Sequence, residues 1–129
     1  MNGLIGDLID CVDRRIRQDE EVSVGAVSKE LGFTRQYVSG KFHKTTGHLL
    51  SRYLKERRLE KAARLLKERK LKISQISRLC GFDSENYFRQ QFRLRFAMSP
   101  RQFRTKGELS AIEQTPFPEL SPQRLKIRR

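Results

Sequence analysis

The chain has 129 residues, 36% of them apolar and none tryptophan: enough for one modest domain or two very small ones, and little for a large enzyme cleft. Its 28 Lys and Arg against 15 Asp and Glu give a formal charge of +13, which opposes self-association and makes nucleic acid and anionic membrane the leading partners. No uninterrupted apolar run approaches the roughly 20 residues of a bilayer span, so a membrane-spanning protein is not expected.

The opening stretch MNGLIGDLIDCVDRR carries Asp7 and Asp10 among its apolar residues and no basic leader, which predicts a cytoplasmic rather than an exported protein. Leu4, Leu8, Ile9, Val12 and Ile16 fall on one stripe of a first helix ending near Gln18. Ser23 caps a second, two-turn helix with Val24, Val27 and Leu31 inward and Gly32 as its stop. Thr34 caps a third, in which Val38 and Phe42 point inward and Gly47 ends the run. Leu49 to about Arg69 contains no Gly or Pro, and its apolar residues keep helical spacing. That predicts a connecting helix roughly 30 Å long at 1.5 Å per residue. Ile73, Ile76 and Cys80 mark a fifth helix stopped by Gly81, and Ser84 begins a sixth with Phe88, Phe92 and Phe96 four apart. Ser99-Pro100 opens a seventh, with proline in the first turn where its missing N–H costs nothing. No segment reads as strand. Cys11 and Cys80 share no metal-type spacing and read as reduced, packed thiols.

The two halves repeat. Val24, Val27, Leu31, Gly32 and Phe33 align with Ile73, Ile76, Cys80, Gly81 and Phe82 at an offset of 49. After one inserted residue, Thr34, Tyr37, Val38, Phe42, Gly47 and Tyr53 meet Ser84, Tyr87, Phe88, Phe92, Ala97 and Phe103 at an offset of 50. Each copy is a short helix, a Gly-Phe turn and a second capped helix, the pattern of a helix-turn-helix unit. One copy is equally compatible with plain bundle packing. Two copies in a chain whose residues 34 to 106 hold 20 Lys or Arg against five acids favour DNA.

With Val38 and Phe42 inward, the third helix offers Arg35, Gln36, Ser39, Gly40 and His43 as base readers. The sixth offers Glu85, Asn86, Arg89, Gln90 and Arg93. Gln36, Asn86 and Gln90 suit adenine, and Arg35 suits guanine. Arg89 suits guanine or phosphate, and Glu85 either accepts from cytosine or favours the helix N-terminus. Gly40 either brings the backbone close to the groove floor or merely weakens the helix, by roughly 1 kcal/mol relative to Ala. Lys41, Lys44, Arg57, Arg101 and Arg104 suit phosphate. His43 and His48 lack partners at metal-ligand spacing. With no phosphate loop and no nucleophile beside a base, no catalytic residue, metal or cofactor is expected, and the chain does not read as an enzyme.

Ile73-x-x-Ile76-x-x-x-x-Gly81-Phe82, Tyr87-Phe88-x-x-x-Phe92, Phe96 and Ser99-Pro100-x-x-Phe103-Arg104 together resemble the AraC/XylS family of regulators in its stand-alone form. Leu31-Gly32-Phe33-Thr34, Phe42-x-Lys44-x-x-Gly47 and Tyr53-Leu54-x-x-Arg57-Arg58-Leu59-x-x-Ala62-x-x-Leu65-Leu66 extend the resemblance to about residues 4–106. It departs at Gly40, where the family usually has a large polar or basic residue, at Gln90 for Arg or Lys, and at Ala97 for Gly. Ser77 for Ala and Phe103 for Tyr are milder departures.

The resemblance implies an all-α protein that binds double-stranded promoter DNA as a monomer, contacts RNA polymerase, works at the bacterial nucleoid, and is controlled mainly by its abundance. The expected organisation is a DNA-binding domain over 1–106, made of a first subdomain (1–48), a linker helix (49–69) and a second subdomain (70–106). A mobile, proline-containing basic tail follows over 107–129, ending in Arg124, Lys126, Arg128 and Arg129. A sequence-independent nucleic-acid binder is the main rival reading.

Overall fold

The structure, a computed structural model, describes residues 3–120. They form seven α-helices: α1 (Gly3–Arg17), α2 (Val24–Leu31), α3 (Arg35–Thr46), α4 (Leu50–Glu68), α5 (Ile73–Leu79), α6 (Glu85–Phe96) and α7 (Pro100–Lys106). Two short 3-10 helices follow at Leu109–Glu113 and Pro118–Leu120, and there is no strand among the described residues. The chain divides into two compact units, one running to Lys55 and resuming at Phe117, the other spanning Glu56–Pro116. Among the described residues, no helix is long and apolar enough to cross a membrane.

In the first unit the stripe expected of α1 is the buried one: Leu8, Ile9 and Val12 are fully covered and pack with Val27, Val38, Phe42, Leu50 and Leu54. Arg14 and Arg15, at the C-terminal end of α1 where cations suit the helix dipole, both bond Glu30 of α2. Arg15 Nε lies 3.0 Å from the Glu30 carboxylate. Ser23 caps α2 by accepting from the Ala26 N–H at 3.1 Å.

The second unit is built on aromatic rings. Phe88, Phe92 and Phe96 form a ladder along α6 with centroids 5.7 and 4.6 Å apart, and Phe103 of α7 closes on Phe92 and Phe96 at 5.4 and 5.2 Å. Leu59, Ala62, Ala63, Leu65 and Leu66 of α4 line the same core.

Two arginines are committed to holding this unit together. Arg95 Nε meets both Glu56 oxygens at 2.8 and 2.9 Å, and its Nη2 donates to the carbonyls of Ala111 and Ile112, each at 3.3 Å. Glu56 is only 4% exposed. Burial pushes its carboxyl up to about 7 against the pull of Arg95, and neighbouring Glu60 adds to the rise. Arg104 donates to the carbonyls of Leu66, Arg69 and Leu71 at 3.1, 3.5 and 2.5 Å, satisfying acceptors that the end of α4 and the loop after it leave open.

The segment after Lys106 departs from expectation. Instead of a mobile tail, residues 107–120 are packed: Ile112 is 4% exposed in the second core, and Phe117 and Leu120 are 4% and 5% exposed in the first. Prolines 116 and 118 flank a buried phenylalanine rather than marking a solvated extension, because one ring and two aliphatic side chains find apolar cover. The basic end from Arg124 to Arg129 lies outside the described residues.

Candidate nucleic-acid interface

The two repeat copies share their turn chemistry. Gly32 and Gly81 both adopt the left-handed conformation, at φ 82° and 80°. The following Phe N–H reaches back to a serine carbonyl, Phe33 to Ser28 at 3.1 Å and Phe82 to Ser77 at 3.0 Å. The second helix then starts on a side-chain cap. Thr34 Oγ1 accepts from the Tyr37 N–H at 3.1 Å, and Ser84 Oγ from the Tyr87 N–H at 3.2 Å. The inserted residue is Asp83, placed in the loop between Phe82 and the cap. Gly47 and Ala97 end α3 and α6 in left-handed geometry, each returning its N–H to the carbonyl four residues back at 2.8 Å.

Val38 and Phe42 fix one side of α3 in the core, and Phe88 and Phe92 do the same for α6, all fully buried. At 100° per residue the opposite face of α3 carries Gln36, Tyr37, Gly40, His43 and Lys44, all exposed. The corresponding face of α6 carries Asn86, Tyr87, Gln90, Arg93 and Leu94, also exposed. Position by position these are repeat equivalents, so each unit presents one solvent-facing strip of five residues.

The remaining candidate readers sit on the flanks of those strips. Arg35 folds over α2: a Cβ placed on Gly25 would lie 2.7 Å from its Nη2. Ser39 is half-buried. Glu85 and Arg89 are bound to each other, with Glu85 Oε2 accepting from Nε at 3.0 Å and from Nη2 at 2.7 Å. This pair borders an open hollow of about 530 Å³ between the starts of α5, α6 and α7, where Lys72, Arg101 and Arg104 contribute positive charge.

Of the residues expected on phosphate, Lys41, Lys44 and Arg101 are exposed. Two are corrected. Arg57 is only 8% exposed with its Nε 3.2 Å from Glu60, and Arg104 spends its donors on the carbonyls at the end of α4. Both are engaged within the second unit, Arg57 by a carboxylate one helical turn away and Arg104 by backbone carbonyls.

Tyr37, Tyr87 and Leu94 are additions to the outward strips, 49%, 45% and 80% exposed. None of the three has a side chain typical of base reading, yet their helical angle from Val38 and Phe42, or from Phe88 and Phe92, sets them on the open side. Phe33 is 46% exposed and stacks on Tyr37 with ring centroids 4.9 Å apart, whereas its equivalent Phe82 is 5% exposed beneath the Arg58 guanidinium.

A helix-turn-helix domain family matches residues 27–106, from within α2 to the last residue of α7. The probable transcription factor PqrA of Proteus vulgaris is 24% identical over 106 residues, 82% of this chain and 87% of that protein. The right origin-binding protein of Escherichia coli (strain K12) is 30% identical over 110 residues, 85% of this chain but 37% of its own length. This chain therefore spans most of one relative and little more than a third of the other. A solved transcriptional regulator from Chromobacterium violaceum, described as containing an AraC-type DNA-binding domain, is 28% identical. It superimposes with a TM-score of 0.66 over 83% of this chain and 96% of its own. With paired capped units, a Gly-Phe turn in each and these likenesses over most of its length, the chain belongs to the AraC-type helix-turn-helix family of DNA-binding transcription regulators.

Proposed function

We propose that the chain binds promoter DNA as a monomer, laying α3 and α6 into two major grooves, and that it activates transcription by contacting RNA polymerase in the bacterial cytoplasm. The observation that carries the two-helix reading is the correspondence of the two outward strips, each mounted on the same glycine turn and the same hydroxyl cap. The monomer and polymerase elements rest on the family resemblance.

In this reading Gln36, Gly40 and His43 face base edges from α3, and Asn86, Gln90 and Arg93 do so from α6. Gln36, Asn86 and Gln90 carry the amide geometry that pairs bidentately with adenine, and Arg93 suits guanine. A Cβ added to Gly40 would meet nothing within 4 Å, so that stretch of α3 offers bare backbone for close approach. Arg35, Ser39 and Arg89 stand ready on the flanks, and Glu85 serves Arg89 and the positive helix end rather than cytosine. Lys41, Lys44 and Arg101 hold register on phosphates.

Selection of binding sites from random DNA tests this directly. Gln36→Ala and Asn86→Ala should each relax preference at separate positions roughly a helical turn apart. Sedimentation of the complex should give one chain per site. Loss of preference at a single shared position in both variants overturns the two-groove reading. Equal displacement by scrambled DNA at physiological salt leaves only sequence-independent binding.

A further inference from the structure

We propose that the C-terminal segment around Phe117, which lies beyond the residues matched to the helix-turn-helix family, is a positioning element for the first reading helix. The inference rests on α3 being a reading helix and concerns what holds it in place.

The repeat exposes the need. In the second unit α6 supplies its own rings at 88, 92 and 96, and Phe103 closes on the last two. The equivalents in the first unit are Val38, Phe42, Thr46 and Tyr53, so two of the four rings are missing. Phe42 and Tyr53 still meet at 5.4 Å, but Thr46 offers no ring: its hydroxyl donates to the Phe42 carbonyl at 2.8 Å and accepts from the His48 N–H at 3.1 Å.

Phe117 supplies a ring from elsewhere in the chain. It packs edge-on against Tyr53 at 5.6 Å and against His48 at 4.7 Å. Glu119 then places Oε1 2.7 Å from His48 Nε2. His48 directly follows Gly47, the left-handed residue that ends α3. The segment thus reaches α3 through two neighbours, Tyr53 of α4, which packs on Phe42, and His48, two residues past the end of α3.

α3 also has less to stand on than α6. Gly40 lowers its helix preference, and its first turn carries Arg35 where α6 carries Glu85, the charge that suits the positive end of the helix dipole. Phe117, Glu119 and His48 are therefore positioning residues, and none of them is assigned a base.

The test uses the full chain with Phe117→Ala, Phe117→Leu and Glu119→Ala, read by hydrogen exchange along α3 and α6 and by affinity for duplexes mismatched in one half-site at a time. Phe117→Ala should speed exchange in α3 but not α6. It should also cut discrimination at the bases altered by Gln36→Ala by about tenfold, while those altered by Asn86→Ala keep theirs within about twofold. Phe117→Leu should restore most of the loss, and Glu119→Ala should give a weaker version of the same pattern. Unchanged exchange in α3, or equal losses in both half-sites, overturns the proposal. If Phe117→Ala does not fold, the half-exposed Glu119 variant decides by the same two criteria. If neither Gln36→Ala nor Asn86→Ala alters any base preference, the reading-helix assignment has failed, and exchange in α3 alone judges the brace.

Discussion

Ala97 ends α6 at φ 59° and ψ 18°, a left-handed conformation that an L side chain adopts at a cost of roughly 1–2 kcal/mol. Replacing it with glycine removes that strain and gives back about 0.4–1 kcal/mol through the freer unfolded chain. Ala97→Gly should therefore stabilise the protein by about 0.5–1 kcal/mol, a rise in melting temperature of about 2–5 °C for a chain of this size. The repeat supplies the control. Gly47 holds the same position at φ 79°, and a Cβ built there meets nothing within 4 Å, so Gly47→Ala imposes backbone strain without a clash. It should cost about 1 kcal/mol. Urea unfolding followed by circular dichroism measures both. If the two substitutions move the midpoint in the same direction, the left-handed account of these helix ends is wrong.

Gly107 sits against the Phe103 ring, where an added Cβ would fall 2.3 Å from Cδ2, and Phe103 is 1% exposed with no room to retreat. Gly107→Ala should cost about 1–3 kcal/mol in the same assay, and a neutral result would mean that the segment after α7 repacks freely. Because the folded-state pKa of Glu56 is raised to about 7 from 4.5, its contribution to stability is fully present below pH 4.5 and is lost as pH rises through about 7. Melting temperature should fall across that window in the parent and stay flatter in Glu56→Gln; parallel profiles would refute the assignment. Lys44→Ala should weaken binding to all sequences alike and reduce the log–log salt slope by about one, and a loss confined to particular bases would make Lys44 a reader.

What was legible in the sequence was local. Ser23, Thr34, Ser84 and Ser99 announce helix starts because a hydroxyl three residues before a free N–H is a short-range device, and each accepts the bond expected of it. The stripe of Leu8, Ile9 and Val12 is equally short-range. The fate of Phe117 was not readable, because its partners His48 and Tyr53 lie more than sixty residues upstream and the surrounding prolines resemble a linker. Arg57 and Arg104 show the same limit from the side of charge. An arginine with an internal acceptor and one awaiting a phosphate look identical in sequence, although Glu60 at three residues from Arg57 was a hint within reach.

The outward placement of Tyr37 and Tyr87 has an optical consequence. With no tryptophan and three tyrosines, ultraviolet emission comes from one phenol on each outward strip and one, Tyr53, sealed in the first core. Tyr37→Phe and Tyr87→Phe would separate the three signals, so the unlabelled protein can report which helix a nucleic acid has approached and whether the interior has opened.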